Sequence, residues 1–571
     1  MTGQDDVLTR RHFLERVGIA GGAAALYETM TTLGLINVPE AWGGPLELPK
    51  DIGKGKTVLI LGAGIGGLTA AYELTKAGYQ CEIIEAQNRA GGRSLTARRG
   101  TVIEEIGDGK RAPTRQVCQF DEGLYLNMGP GRIPYHHERV IHYAKTLDVA
   151  LEVYVMETTA NLFQTDEAFD GKAQINRRVA NDTRGYIAEL LAKAVNQGAL
   201  DDELSEGDKD KLKEKLLDLL KVFGSLNDDT SYTGSTRSGC AIEPLTVKYP
   251  CIAPEPLSFE QLLESTFWRD SFYQPIDYLW QPTLFQPVGG MDKLVEGFIR
   301  KIGSLIRYQS VVQRIELQDD GVEVTYYDRI LGSMVTKRAD YCISNIPLPV
   351  LQGRDKIKAN FSEDFEWAIQ QAVFADTCKV GWQANERFWE TNNQIYGGIS
   401  WIDNIITQMW YPSNDYFSKN GTLTGAYNFT DRARDLGDMS LSERLRVARK
   451  GAEKLHPEFA NRQIVPEEKG LSIAWQNVPF QLGGWANWSS TNPKHDKAYQ
   501  RLLKPDGANG QFLIVGDQVS TLPGWQEGAM MSAEHVVHLI AAPKMQLLEA
   551  EVDSVRAPDT RSLVEGSFFN R

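Results

Sequence analysis

The stretch from Thr57 to Arg93, TVLILGAGIGGLTAAYELTKAGYQCEIIEAQNRAGGR, restricts the fold more than any other part of the chain. Thr57–Leu61 is a short aliphatic run between charge and glycine, which reads as a buried parallel strand. Gly62, Gly64 and Gly67 then satisfy G-x-G-x-x-G, with a further glycine at Gly66. Leu68–Ala77 carries apolar residues at helical spacing and stops at Gly78, a C-terminal helix signal. Cys81–Ile84 is the second strand, closed by Glu85. In such a unit the first glycine permits a tight turn, the second lets a pyrophosphate approach the backbone, and the third lets helix and strand pack closely. The helix N-terminus offers free N–H groups and partial positive charge to phosphates. Glu85 stands where an acid can accept hydrogen bonds from a ribose. A glycine-rich turn that holds nothing is the plainer alternative, but strand, helix and acid together favour a dinucleotide.

The continuation, Glu85-Ala86-Gln87-Asn88-Arg89-Ala90-Gly91-Gly92-Arg93, resembles the E-x-x-x-R-x-G-G-R segment of the flavin-dependent amine oxidase family. The resemblance extends over about residues 55–540. It implies an α/β protein: a Rossmann-like (GR2-type) FAD-binding domain, a mixed-sheet substrate-binding domain and a helical insertion. The FAD-binding domain is expected from residues 51–115 with 283–365 and 500–545, and the substrate-binding domain from 116–165 with 240–282 and 366–499. A helical domain is expected over 166–239, where Tyr186–Val195 and Lys211–Phe223 are amphipathic. Non-covalent FAD would then be held by Gly62, Gly64, Gly66, Gly67, Glu85, Ala86, Arg89, Gly92 and Arg93.

Composition removes several classes. The net charge of −14, from 75 acids against 61 bases, disfavours nucleic acid and anionic membrane as partners. No apolar run reaches the roughly 18–20 residues of a membrane span. Six cysteines without a C-x-x-C pair suggest neither a metal site nor a disulfide framework, with Cys81 and Cys342 as core residues. His136-His137 points two rings in different directions, so no metal is expected. The segment from Arg93 to Arg115 reads as loop or as an insertion at a sheet edge.

The N-terminus, Thr9-Arg10-Arg11-His12-Phe13-Leu14 followed by the weakly apolar Val17–Leu26, resembles a twin-arginine export signal. It leads either to a periplasmic or secreted protein, or to a helix that stays on a cytoplasmic one, or to a pro-segment over the substrate entrance. The tail beyond Pro543 matches nothing interpretable.

Gly129-Pro130-Gly131-Arg132-Ile133-Pro134 resembles the G-x-M-R-[ILF]-P segment of L-amino-acid oxidases and amino-acid 2-monooxygenases, with Gly131 in place of methionine. In those relatives the arginine grips the substrate carboxylate, a task suited to a planar guanidinium. Gly129, Pro130, Gly131 and Arg132 would also lie along the flavin. Val312 would lie near the adenine. Thr377–Trp382 resembles the family's lysine strand, which would make Lys379 the holder of a water at the flavin. Tyr427 matches the second carboxylate contact, with Tyr411 as its rival in the substrate pocket. Trp485 would line the side-chain pocket unless its ring is simply core. Gly516 and Asp517, where most relatives have Glu, end a strand, and Trp525, Gln526 and Ala529 open a helix aimed at the flavin. Trp525 would be an aromatic wall of the substrate pocket.

The resemblance thus implies an FAD-dependent L-amino-acid oxidase that acts on a small-molecule substrate, an L-amino acid, and dioxygen, in a homodimer of the family's usual kind. Rivals are an amino-acid 2-monooxygenase, a monoamine or polyamine oxidase, and a flavoprotein without catalysis.

Overall fold

A computed structural model describes residues 42–541 apart from 110, 200–207, 244, 270–276, 353–356 and 490. The twin-arginine-like stretch and the C-terminal tail lie outside the described residues.

Aliphatic runs become the middle of a five-stranded parallel sheet, in the order Ile306–Arg307, Gln80–Ile84, Thr57–Leu61, Tyr341–Ser344, Phe512–Ile514. Leu61 is level with both Ile84 and Ser344, so three strands end together. Strands buried on both faces need continuous apolar sequence. On one face lie the helices Ile65–Lys76, Glu138–Thr146, Lys293–Ile302 and Gln526–Ala541, with Leu68, Leu74, Phe298 and Val537 in the shared core. The other face packs on the Ser310–Gln318 and Gly321–Asp328 hairpin, which turns at Asp319-Asp320.

A second sheet of seven strands holds Thr377–Ala384 between Gly421–Phe429 and Gly470–Ala474. Every residue of Thr377–Ala384 is buried. Alternation sends Cys378, Val380 and Trp382 into one core and leaves Lys379 on the opposite face, level with Tyr427. The helices Asn176–Asn196 and Lys209–Gly224 pack as a pair; Ala188, Ala192 and Leu220 form their seam.

Two expectations are corrected. The stretch after Arg93 is more than loop: Val102–Glu105 and Thr114–Val117 form a hairpin. It escapes a polarity reading because its inward positions are Ile103 and the carboxylate of Glu105. Cys240 and Cys251 are also joined in a disulfide, a link that scattered spacing did not suggest.

Glu105 is 2% exposed and Arg444 is fully buried. Arg444 Nη1 and Nη2 donate to the two carboxylate oxygens at 2.8 and 2.9 Å, and the Ala474 N–H donates to Glu105 as well. This clips the hairpin to the second sheet. Removing one partner strands a charge in the core, so Glu105→Ala is expected to lower stability by about 3–5 kcal/mol in urea unfolding.

Candidate active site

The strands Thr57–Leu61, Gln80–Ile84 and Tyr341–Ser344 open at their carboxyl ends into a cavity of about 1200 Å³. That is where open parallel sheets bind ligands. Gly62 turns there with φ +102°, and a Cβ on Gly64 would collide with the Asn345 amide. Gly67 faces away from the cavity's lining; its missing side chain lets the helix close on the Gly62 carbonyl.

Glu85 lines the cavity and accepts from the Ala63 N–H at 2.7 Å and the Gln87 N–H at 2.8 Å. Burial pushes its carboxyl up, opposed by those backbone donors. Two oxygens offer about four acceptor positions, so capacity remains for a ribose. Gly66, Ala86, Gly92, Arg93 and Val312 share this lining, as do Gly129 and Pro130. Arg89 does not: it is half-buried, donates to the Ala90 carbonyl at 3.3 Å, and burial lowers its pKa.

Arg93 and Asp517 pair with each other in an ion pair, and Asp517 also accepts the Gly524 N–H at 2.8 Å. Arg93 further donates to the Gly484 carbonyl. Gly516, Trp525, Gln526 and Ala529 complete this end. Gln526 donates to Ser94 Oγ at 2.9 Å, while its buried carbonyl oxygen has no partner among the described residues. A cavity of about 1200 Å³, glycine walls, an acid able to accept from a ribose and an orphan polar atom fit a flavin dinucleotide.

The second end is built from cations and aromatic rings. Arg132 is 8% exposed and makes no ion pair among the described residues. Its guanidinium lies 3.8 Å from the Trp280 ring, 4.8 Å from Trp525 and 5.4 Å from Trp410. Burial lowers its pKa to about 10. Lys379 donates to the Gly129 carbonyl at 2.6 Å and the Asn127 carbonyl at 3.2 Å. Burial, then the charge of Arg132, lowers its pKa to about 7. Tyr427 lines the cavity with its ring 4.3 Å from Lys379 Nζ; burial pushes its phenol up to about 12. Trp485 lines the cavity too and packs on Phe429 at 5.3 Å.

Tyr411 does not belong here. Its ring is buried in the opposite core, and its hydroxyl donates to Ser400 Oγ at 2.7 Å and meets His456 Nε2 at 2.6 Å. Strand alternation explains the error: Trp410, one residue earlier, faces Arg132 and Tyr427. Gly131, Arg132 and Lys379 are not among the residues that line this cavity; Arg132 and Lys379 adjoin it through Trp525 and Tyr427, which do. Asn345, Trp280 and Trp475 also enter the site without having been singled out. Asn345 directly follows the strand Tyr341–Ser344, whose apolar run is the one signal that could have found it.

A family model described as flavin containing amine oxidoreductase matches residues 65–541. A flavin-dependent L-tryptophan oxidase of Lentzea aerocolonigenes is 26% identical over 85% of this chain and 98% of that protein. An L-amino-acid oxidase of Siganus canaliculatus is 24% identical, covering 88% of each. Among solved structures, a triple mutant of putrescine oxidase superposes with a TM-score of 0.56 at 16% identity, over 86% of this chain and 99% of that one. This last likeness speaks for the fold alone.

Glu85→Ala removes the ribose acceptor and leaves two backbone N–H groups unpaired. It is expected to weaken FAD retention by at least about tenfold, read as flavin absorbance per protein after gel filtration.

Proposed function

Since the chain belongs to the flavin containing amine oxidoreductase family, we propose that it is an L-amino-acid oxidase, turning an L-amino acid into a 2-oxo acid with release of ammonia and hydrogen peroxide. The observation that carries this reading is Arg132: a buried guanidinium with aromatic walls and no carboxylate in ion-pair contact among the described residues, the charge of Asp277 acting on it only from further off. A desolvated charge left unpaired in the protein is a ready partner for a carboxylate brought by a ligand. The names of the relatives agree with a carboxylate-bearing substrate.

FAD, when bound, would accept hydride from the substrate Cα and hand the electrons to dioxygen. The chain's own residues bind, orient and manage protons. Arg132 presents terminal N–H groups to the carboxylate, with the Tyr427 hydroxyl as second donor. Trp525 and Trp485 give the substrate side chain apolar walls and exclude water, so that the Cα hydrogen is held in one direction. Lys379 is suited to hydrolysis of the imino acid. As a neutral amine it has two N–H groups, matched by its two carbonyl acceptors, and one lone pair left to accept from a water.

We also propose export of the protein, since the Cys240–Cys251 bond suits an oxidising compartment, and assembly as a homodimer.

Peroxide release across L- and D-amino acids and their matching amines tests the main reading. L-Amino acids should be turned over with an oxo acid as product; an amide product would instead indicate a monooxygenase. Arg132→Met should lower kcat/KM for L-amino acids by roughly two orders of magnitude; equal turnover of amines and indifference to this change would sink the reading. Below pH about 7 Lys379 is protonated and its lone pair is gone. Turnover should therefore rise with pH through about 7, and Lys379→Met should slow it and abolish that limb.

A further inference from the structure

Arg132 and Lys379 are both buried basic groups, and one side chain touches the two of them. The Trp410 ring centre lies 5.4 Å from the Arg132 guanidinium and 5.6 Å from Lys379 Nζ. Its indole is fixed from several sides: Nε1 donates to Gln408 Oε1 at 2.7 Å, and the ring meets Tyr427 at 5.3 Å and Trp280 at 6.2 Å, both edge-on. Gln408 is itself buried.

The space for that ring comes from the loop that carries Arg132. A Cβ on Gly131 would stand 3.1 Å from Trp410 Cζ3, tighter than ordinary side-chain contact. Gly131 does not have the positive φ that would call for glycine on backbone grounds. The missing side chain is thus explained by the indole, and the methionine of the related segments would displace it.

We propose that Trp410, admitted by Gly131, is a positioning residue that together with Trp280 holds Arg132 in place of a directly paired carboxylate. A carboxylate from the protein would steady the guanidinium but occupy the N–H groups that the substrate needs. Indole faces attract the cation through their quadrupole and leave its N–H edge free. The inference rests on the reading of Arg132 as the carboxylate site, and it adds a reason for the departure at Gly131. Because the same ring also meets Lys379, the two basic groups are held at a fixed spacing.

The test uses the FAD-loaded protein and 3-phenylpropanoate, a carboxylate with no amine to oxidise, with binding followed by the flavin spectrum. Trp410→Leu should weaken it by about 5- to 30-fold, and Trp410→Phe should restore part of the loss. Gly131→Met, which leaves every side chain of the site intact, should weaken it similarly. In turnover, Trp410→Leu and Gly131→Met should raise KM for L-amino acids more than they lower kcat. FAD content and Tm identify any variant that fails to fold, and Gly131→Ala, the smallest intrusion, then serves instead with a smaller loss. If Arg132→Met weakens 3-phenylpropanoate but Trp410→Leu and the glycine variants bind it as the parent does, the positioning role is wrong and the carboxylate site survives. If Arg132→Met also binds it as the parent does, the carboxylate site itself is wrong, and this inference falls with it.

Discussion

Two positive charges are taken out of water at one place, and the site is arranged around what that entails. Moving an ammonium or guanidinium into a protein interior costs on the order of several kcal/mol unless it is compensated. The two groups meet this differently. Lys379 can shed its charge: with its pKa lowered to about 7 and two carbonyls for its two amine hydrogens, the neutral form is fully satisfied. Arg132 stays charged at any ordinary pH, and its compensation is the set of rings at 3.8, 4.8 and 5.4 Å. The two solutions depend on each other, because the charge on Arg132 is, after burial, a cause of the lowered pKa of Lys379.

The flavin end follows a different logic. There the ligand is long and its phosphates need backbone rather than side chains, so the structure clears side chains away. Gly62, Gly64 and Gly67 each answer a separate steric demand, one a positive φ, one the Asn345 amide and one the Gly62 carbonyl. The polar groups that remain are paired among themselves where charge is high, as with Arg93 and Asp517, and left open where a neutral donor or acceptor is wanted, as at the Gln526 carbonyl.

What could be read from the sequence divides along the same line. The flavin cradle is local: strand, glycines, helix and acid lie within one βαβ unit, so spacing alone locates Glu85 and the turn at Gly62. The proposed substrate end is assembled from distant parts of the chain: the Gly129–Arg132 loop ahead of Ile133–Pro134, Trp280 ahead of Leu284–Pro287, Lys379, Trp410 and Tyr427 on the second sheet, and Trp525 just before the helix Gln526–Ala541. Motifs point to those that sit in recognisable segments. They give no account of Trp280, whose role comes from where the loop before Leu284–Pro287 ends. The choice between Trp410 and Tyr411 is one of parity: neighbouring residues of a strand face opposite ways, and nothing in Trp410-Tyr411-Pro412 says which face is inward. Glu105 was passed over for a related reason, since a glutamate in a charged segment reads as solvated until its partner Arg444, 339 residues away, is known.

That distant pair also bears on the lysine. Arg444 Nη1, besides gripping Glu105, donates to Ser472 Oγ at 3.1 Å, and Ser472 Oγ in turn donates to the Lys379 carbonyl at 3.1 Å. The Ser472 backbone N–H is taken by Gln116 at 2.9 Å, from the same hairpin that supplies Glu105. The backbone of Lys379 is therefore held from behind by a buried, charge-assisted network, while its side chain projects forward through the sheet. A flexible four-carbon stem carries much rotamer entropy, and an amine that is to hold one water needs a fixed origin as well as two acceptors. A replacement of Glu105 and Arg444 by well-packed apolar residues could match the stability of the buried pair, but it would leave Ser472 Oγ with one partner fewer. The pair thus sets the position of the lysine strand as well as clipping the hairpin to the sheet.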